Sequence, residues 1–300
     1  KEKLYFLEDE IKKLTEDDLS TVEDCKRHLG YFIEGKNLFS SWIRNKKEFQ
    51  IMDVRTALTA FDKNIGQNYK KVYSNIFDTL SKGIDSLGTG EPERTKAARE
   101  LLELIVEIPT DGSEDYDILG FIYEFLLKNF AANAGKAGEF YTPHEASILM
   151  SEIVAEHLKD REKISIYDPT SGSGSLLINI GQTVAKHMNE KNKIKYYAQE
   201  LIENTYNLTR MNLLMRDILP SNIVVRNNDT LKEDWPFFDD NNKERTYELV
   251  QVDAAISNPP YSQSWDITGK DTDPRFAEYG VAPKSKADYA FLLHGLYHLK

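Results

Sequence analysis

The sequence has few of the features that place a chain in a membrane or outside the cell. It contains one cysteine, Cys25, in 300 residues, which excludes an internal disulfide framework and any zinc site built on cysteines. No stretch approaches the roughly 18 consecutive apolar residues of a membrane span. The start, Lys1 to Lys3, lacks the apolar core of a signal peptide. We therefore expect a cytoplasmic protein with no membrane partner.

Positive charge is also scarce. Lys and Arg number 38 against 49 Asp and Glu, and the formal net charge of −11 divides into −6 over residues 1–140 and −5 over 141–300. A chain that grips nucleic acid by itself usually carries a basic stripe, so composition alone argues against direct nucleic-acid binding. No metal site is predicted from the six histidines.

The pattern of apolar residues changes near residue 135. Residues 1–135 have helical spacing interrupted by polar loops, which predicts a helical N-terminal domain. From 136 to 300, short apolar runs alternate with helical patterns, which predicts an α/β domain with a parallel sheet. The predicted strands are Ile164–Tyr167, Tyr196–Gln199, Ile223–Val225 and Val252–Ile256, and the helices between them Leu176–Met188 and Asn204–Arg216. Ligands of such sheets bind at the carboxyl ends of the strands.

Two further segments of this second region carry local signals. Thr142, Pro143 and Glu145 form a capping-box pattern, which predicts a helix with Thr142 as its N-cap and Pro143 at its first position. The segment Asp266–Phe276 is polar with few apolar residues. It is either a mobile loop near the ligand site or an uninvolved surface insertion.

A glycine-rich turn, Asp168–Ser175, follows the first predicted strand. Gly172 and Gly174 would let the backbone approach a ligand closely and turn into a helix. The turn lacks the Lys-Ser/Thr pair of a P-loop, and Leu177 stands where a dinucleotide fingerprint has its third glycine. It is therefore either a plain turn or a ligand loop. Asp168 favours the ligand loop because its carboxylate could orient the loop or meet a cationic ligand.

Carboxylates also follow the next two predicted strands. Glu200 comes directly after the second, where an acidic side chain can accept both ribose hydroxyls of a nucleoside. Asp229, after the third, could accept a hydrogen bond from an adenine amino group. In isolation, each could equally be a solvated carboxylate at a strand end.

The most specific motif is Asn258-Pro259-Pro260-Tyr261, directly after the fourth predicted strand. Two prolines remove two N–H donors and fix the backbone. The Asn258 side-chain oxygen and the Pro259 carbonyl could then accept both hydrogens of an exocyclic NH₂ group. Accepting both bonds keeps the nitrogen lone pair out of the ring, so the amine becomes nucleophilic. Tyr261 offers a face on which a planar base can stack.

These motifs together resemble amino-methyltransferases that use S-adenosylmethionine. Asp168–Ser175 is similar to their cofactor loop, and Asn258–Tyr261 to their catalytic motif for adenine N6, cytosine N4 or glutamine N5. Gly138–Pro143 resembles the segment that closes over the methionine end of the cofactor. The resemblance implies a Rossmann-like core, with these motifs in the order of the γ arrangement of DNA adenine methyltransferases. It implies cofactor contacts from Glu139, Phe140, Tyr141, Thr142, Pro143, Asp168, Pro169, Thr170, Gly172, Ser173, Gly174, Ser175, Glu200 and Asp229, and catalytic roles for Asn258, Pro259, Pro260 and Tyr261.

A closer resemblance is to the modification subunit of type I restriction–modification systems, and it extends over essentially the whole chain. It is carried by Asp117–Leu126, Gly138–Pro143, Met211–Met215, Asp229–Leu231 and Tyr279–Phe291. The family continues beyond the position of Lys300, so we expect a core cut short at its C-terminus, inside the helix after the catalytic motif. The cofactor loop also reads Pro-Thr-Ser where many relatives have Pro-Ala-Cys.

The closer resemblance implies N6 methylation of a flipped-out adenine in double-stranded DNA. It also implies partners: a DNA-specificity subunit, a restriction subunit, and two copies of this chain per complex. The acidic composition then predicts weak DNA binding by this chain alone and stronger binding with the specificity subunit. Two alternatives stay open, namely a protein glutamine N5 methyltransferase and a mainly structural assembly subunit.

Overall fold

A computed structural model of the protein describes residues 19–108, 142–188, 191–216, 218–233 and 249–300. The chain divides into two compact units, Lys1–Ile118 and Leu119–Lys300. The predicted domain boundary at residues 135 and 136 falls outside the described residues, so it stays a prediction. Three predicted cofactor residues, Glu139, Phe140 and Tyr141, also lie outside them.

The first unit is helical in its described part, as the apolar spacing predicted. Its helices are α1 (Leu19–His28), α2 (Phe39–Arg44), α3 (Ile51–Lys63), α4 (Lys70–Tyr73), α5 (Asp78–Gly83) and α6 (Glu91–Val106). Short 3-10 turns lie between them at Gly35–Asn37, Gln67–Tyr69 and Ile84–Leu87. Ala98 and Leu102 of α6 are buried with Phe49, Ile51 and Ile84. This apolar cluster joins α6 to the start of α3.

The second unit contains a four-stranded parallel sheet. Its strands are β1 (Ile164–Asp168), β2 (Ile194–Glu200), β3 (Ile223–Asn227) and β4 (Ala254–Ala255), in the order β3-β2-β1-β4. The helices are α7 (His144–Leu158), α8 (Ser175–Ala185), α9 (Glu203–Met215) and α10 (Asp288–Tyr297). The predicted α/β class, with strands and helices alternating, is confirmed. None of the helices in the described ranges is long and apolar enough to cross a membrane.

Apolar residues on both faces of the central strands explain why these segments form a buried sheet. Ile166 and Tyr167 of β1 are both fully buried, as expected for a parallel strand covered on two sides. Helix α8 packs directly on β2, where Gly181 lies against the ring of Tyr196 with no room for a Cβ atom. A glycine at this position therefore sets how closely the helix approaches the sheet.

Three details differ from the sequence-based expectations. Helix α7 begins at His144, with Pro143 as its N-cap and no side-chain cap bond, so the prediction that Thr142 caps the helix is wrong. The ψ of Pro143 is extended, 133°, so this residue lies outside the helix, and the prediction that it takes the first helical position is also wrong. Helix α10 ends at Tyr297, so the expectation that Lys300 lies inside a helix is also wrong. Instead, the Lys300 amide donates to the Val252 carbonyl at 3.1 Å.

Candidate functional site

A cavity of about 1080 Å³ lies at the carboxyl ends of the four strands. Its wall combines segments that follow each strand, which is where a parallel sheet places its ligands. The predicted site residues that line it are Thr142, Asp168, Pro169, Thr170, Gly172, Ser173, Ser175, Glu200, Asp229, Asn258, Pro260 and Tyr261. Pro143, Gly174 and Pro259 do not line it. The structure thus brings the glycine-rich turn, the two strand-end carboxylates and the Asn-Pro-Pro-Tyr motif to one cavity.

Asp168 ends β1 and begins the glycine-rich turn. Its Oδ1 accepts hydrogen bonds from the Thr170 amide at 2.9 Å and the Thr170 hydroxyl at 3.4 Å. The residue is buried, and this burial raises the pKa of its carboxyl to about 7, with a further increase from the charge of Glu200. Asp168 therefore orients the turn and also carries a charge that can change near neutral pH.

Glu200 ends β2 and binds the same turn. Its Oε2 accepts from the Gly172 amide at 2.8 Å, and its Oε1 accepts from the Ile202 amide at 2.9 Å. Burial raises the pKa of this carboxyl, although the backbone hydrogen bonds lower it. Each carboxylate oxygen has a second lone pair, so Glu200 can hold the turn and still accept from a ligand. The sequence indicated only the ligand contact.

Helix α9 holds the glycine-rich turn from its outer side. The Thr209 hydroxyl donates to the Gly172 carbonyl at 2.7 Å, and the Asn212 amide donates to the Ser173 carbonyl at 2.8 Å. Gly174 has φ +79°, and a Cβ atom there would lie 3.1 Å from a methyl carbon of Thr209. Sequence reasoning assigned no role to Thr209 or Asn212. The only signal was that Asn212 lies in the segment resembling the type I family.

Asp229 follows β3 and shapes the turn that begins there. Its Oδ1 accepts from the Leu231 amide at 3.0 Å and the Lys232 amide at 3.3 Å. The next residue, Thr230, donates its hydroxyl to the Pro169 carbonyl at 2.6 Å. The segments after β1 and β3 are therefore joined directly, beside the cavity that both of them line.

The Asn-Pro-Pro-Tyr motif follows a strand of two residues that is fixed by its neighbours. Just before β4, the Asp253 Oδ2 accepts from the Ser165 amide at 2.8 Å and the Ser165 hydroxyl at 2.7 Å. Just after it, the Ile256 amide donates to the Tyr167 carbonyl at 2.9 Å. These bonds fix the register of β4 against β1. They place Asn258 at the carboxyl end of the sheet, where β1 ends at Asp168.

Beyond the motif, the backbone turns at once toward helix α10. Ser262 adopts a left-handed conformation with φ +57°, and its amide donates to the Asp288 carboxylate at 3.1 Å. The Tyr261 side chain remains 69% exposed. An exposed aromatic ring held by a fixed turn on a cavity wall is a surface on which a planar group can stack.

The segment after the motif is anchored rather than loosely attached. Trp265 is buried and donates from its indole nitrogen to the Pro283 carbonyl at 3.1 Å. At the C-terminal end of the segment Asp266–Phe276, Arg275 and Phe276 are also buried. Asp266 lines the cavity. The expectation of an uninvolved surface insertion is therefore wrong, and sequence reasoning missed the buried Arg275.

Within the described ranges, no group of three or more His, Cys, Asp or Glu residues is arranged to hold a metal ion. The acidic side chains that line the cavity instead accept hydrogen bonds from backbone amides. Lys232 and Lys284 also line it. The cavity thus combines carboxylates, two lysines, an aromatic ring and an asparagine oxygen, a set suited to a nucleoside-like ligand with a positive charge.

Comparisons with known proteins agree with this architecture. The chain is similar to the type I restriction enzyme MpnII methylase subunit of Mycoplasma pneumoniae, 35% identical over 287 residues, which are 90% of this chain and 51% of that protein. It is also similar to the type I restriction enzyme MjaVIII methylase subunit of Methanocaldococcus jannaschii, 29% identical over 298 residues, 97% of this chain and 47% of that protein. The chain thus spans about half the length of these curated relatives.

Among solved structures, the fold is similar to a type I restriction–modification system methyltransferase subunit from Streptococcus thermophilus. The TM-score is 0.81 at 32% identity, covering 97% of this chain and 59% of that one. This likeness confirms the predicted fold, a helical N-terminal part followed by a Rossmann-like methyltransferase core. The family model described as N-6 DNA Methylase matches residues 114–300, more than half of the sequence. The chain therefore belongs to the N-6 DNA methylase family.

Proposed function

We propose that this chain binds S-adenosylmethionine and methylates the N6 amino group of adenine in DNA. The observation that carries the proposal is the position of Asn258, Pro260 and Tyr261 on the same cavity wall as the Asp168 and Glu200 carboxylates. One cavity then offers a place for a cationic nucleoside and a second place for a planar base with an amino group. Family membership supports the same reaction.

The cofactor half of the proposal is supported by the residues around the glycine-rich turn. Gly172, Ser173, Glu200 and Asp229 line the cavity. We assign Glu200 to the ribose hydroxyls and Asp229 to the adenine amino group of the cofactor. The cavity volume of about 1080 Å³ lies at the upper end of the usual range for ligand clefts, about 300–1,000 Å³, which fits a large cofactor. When bound, S-adenosylmethionine supplies an electrophilic methyl group. This chain's residues supply binding and alignment.

The base half rests on the chemistry of the Asn-Pro-Pro-Tyr motif. We assign the Asn258 side-chain oxygen, on the cavity wall, and the carbonyl of the adjacent Pro259, which does not line the cavity, as the acceptors of the two hydrogen bonds from the target amine. This leaves the nitrogen lone pair available. Tyr261 stacks on the base, which must leave the duplex at a cost of a few kcal/mol. Alignment of the amine with the electrophile then contributes most of the rate enhancement. No covalent intermediate with the protein is required.

We further propose double-stranded DNA, a DNA-specificity subunit and a restriction subunit as partners, with two copies of this chain per complex. The support is the similarity to proteins named type I restriction enzyme methylase subunits. The net charge of −11 fits an arrangement in which another subunit supplies most of the phosphate contacts and the sequence reading. DNA affinity should therefore rise steeply when the specificity subunit is added.

Asn258→Ala tests the proposal, using the full-length protein with its specificity subunit. The variant should lose methyl transfer to DNA while keeping S-adenosylmethionine affinity within about threefold, since Asn258 is assigned to the base and not to the cofactor. Asn222→Ala is a matched control, because Asn222 is half-buried, does not line the cavity, and its side-chain amide donates to the Asn192 carbonyl at 2.7 Å. Turnover of Asn258→Ala near the wild-type rate would contradict the assignment.

The choice of substrate is tested separately. Labelled S-adenosylmethionine is incubated with the wild-type complex and either genomic DNA or a protein extract, and the labelled base or residue is identified by mass spectrometry. Label in N6-methyladenine supports the proposal. Label in glutamine of a protein would instead establish the alternative, protein N5 methylation, which shares the chemistry of the motif.

A further inference from the structure

A path of hydrogen-bonded side chains, most of them buried, begins at Arg275. The Arg275 guanidinium bonds the Asp273 carboxylate at 2.7 Å and the carbonyls of Thr230 and Leu231 at 2.7 and 3.3 Å. It also contacts the His294 Nδ1 at 3.0 Å. Arg275 does not line the cavity. It therefore acts on the site only through its neighbours.

From His294 the hydrogen bonds continue across the sheet. The His294 Nε2 lies 2.8 Å from the Tyr167 hydroxyl, and that hydroxyl lies 3.0 Å from the Gln199 Oε1. The Gln199 amide donates to the Asn228 Oδ1, and the Asn228 amide donates to the Glu233 carboxylate at 3.0 Å. His294 and Gln199 are fully buried. The bonds of this path are thus shielded from water over most of its length.

The two ends of the path give it a single direction. A guanidinium can only donate and an ionised carboxylate can only accept. Because Arg275 donates to the Nδ1 of His294, the proton of a neutral ring stands on Nε2 and is donated to the Tyr167 oxygen. The Tyr167 hydroxyl then donates to Gln199. Burial, with the nearby Arg275 and His298, lowers the pKa of His294, which keeps the ring neutral.

The members of this path stand next to the proposed cofactor residues. Tyr167 precedes Asp168 in β1, Gln199 precedes Glu200 in β2, and Asn228 precedes Asp229 after β3. A shift in any link would move the strand end beside it. The same Arg275 belongs to the anchored segment that follows Tyr261. The path therefore connects the base side of the cavity to three cofactor-side strand ends.

We propose that Arg275 and His294 are positioning residues that hold these three strand ends and the segment after the catalytic motif in one geometry. The proposal rests on the proposed function for what that geometry serves. It adds a one-way hydrogen-bond chain, Arg275 to His294 to Tyr167 to Gln199 to Asn228, ending at Glu233. Breaking the chain at its middle should loosen cofactor binding without removing any group that touches the ligand.

The direction of the chain is tested without an activity measurement. Nitrogen-15 NMR of histidine-labelled full-length protein at pH 7.5 reports which ring nitrogen carries the proton. The His294 resonances are identified as those missing from His294→Gln. A neutral ring protonated on Nε2 supports the chain. A ring protonated on Nδ1, or on both nitrogens, would overturn it.

The effect on the cofactor is tested by calorimetric titration of S-adenosylmethionine into variants. Tyr167→Phe removes one hydroxyl from the path and should weaken binding about tenfold. Tyr196→Phe, a buried tyrosine of the neighbouring strand outside the path, is the matched control and should bind as wild type. His294→Gln, which can accept from Arg275 and donate to Tyr167, should stay within twofold, whereas His294→Leu should fall at least tenfold.

The outcomes separate the positioning role from general stability. Thermal melting is measured for every variant, so that a loss of affinity can be compared at equal loss of Tm. Equal affinities for Tyr167→Phe and Tyr196→Phe, or for His294→Leu and His294→Gln, would overturn the positioning role. If the wild-type protein binds no S-adenosylmethionine, the proposed function fails, and the positioning role fails with it. The direction of the chain is then decided by the NMR result alone.

Discussion

The pKa of Asp168 leads to a quantitative prediction about cofactor binding. Burial raises this pKa from 3.8 to about 7, so about half of the ligand-free sites are protonated at neutral pH. S-adenosylmethionine carries a sulfonium and an ammonium group, and the ionised carboxylate should bind it better than the neutral acid. If only the ionised form binds, affinity should fall roughly 25-fold between pH 7.5 and pH 5.5.

Calorimetry in buffers of different ionisation enthalpy measures this linkage directly. At pH 7, binding should release about half a proton, since the charged ligand favours the ionised form of Asp168. Asp168→Asn should bind weakly with almost no pH dependence over the same range. Glu200→Gln is the control, because Glu200 also has a raised pKa, and this variant should keep most of the slope. A flat profile for the wild type, or an equal slope in Asp168→Asn, would refute the reasoning.

The raised pKa of Asp168 also affects the stability of the ligand-free protein. Stability should fall as pH rises, whereas cofactor affinity should increase. Between about pH 4 and pH 7 the folded state binds a proton at Asp168 that the unfolded state has lost, so stability falls as pH rises through this window. The window is about three pH units wide, and at 1.36 kcal/mol for each the upper bound is about 4 kcal/mol. Urea titrations of wild type and Asp168→Asn at pH 5 and pH 7.5 measure the difference. The wild-type protein should lose more stability than the variant.

Three further predictions concern individual contacts. Gly181→Ala should lower the free energy of unfolding, measured by urea titration, by about 1–3 kcal/mol, because the added methyl overlaps the Tyr196 ring. Adding Tyr196→Phe should restore part of this loss. Full stability of Gly181→Ala would be inconsistent with this packing. Asn212→Ala removes the donor to the Ser173 carbonyl and should weaken S-adenosylmethionine binding, measured by calorimetry, at least fivefold. Unchanged affinity would show that this contact does not hold the glycine-rich turn. Tyr261→Ala should reduce kcat/KM for DNA by a factor that corresponds to a lost stacking energy of about 1–3 kcal/mol. Tyr261→Phe should keep kcat/KM near the wild-type value. An equal loss in both variants would implicate the hydroxyl instead.

The strands and the strand-end residues were predictable because they are encoded locally. Apolar runs bounded by polar residues locate β1 and β2, and the ligand-facing groups follow within a few positions. Hydrogen bonding to neighbours extends β1 to Asp168 and β2 to Glu200, one residue beyond the end of each apolar run. The Asn-Pro-Pro-Tyr motif was identifiable because its donor-poor backbone has few other uses.

The supporting contacts could not be predicted because they join residues far apart in the sequence. Thr209 and Asn212 are ordinary polar residues on a helix until the fold places them against the glycine-rich turn. Arg275 reads as a surface charge in a polar segment, yet five side-chain hydrogen bonds to four residues compensate its burial. In α6 the buried apolar residues are Ala98 and Leu102, whereas Leu101 and Leu104 are exposed. Two apolar stripes were available, and tertiary packing chose between them.

The hydrogen bonds from Ser165 to the Asp253 carboxylate limit where residues can be inserted into or deleted from this protein. Ser165 lies in β1 and Asp253 directly precedes β4, and Asn258, the residue proposed to accept the target amine, follows five positions after Asp253. One inserted or deleted residue in that interval would displace Asn258 by about 3.3 Å, more than a hydrogen bond tolerates. Insertions in surface connections elsewhere leave this spacing untouched. The number of residues from Asp253 to Asn258 thus sets the position of Asn258 relative to β1. Engineered variants should keep this number unchanged.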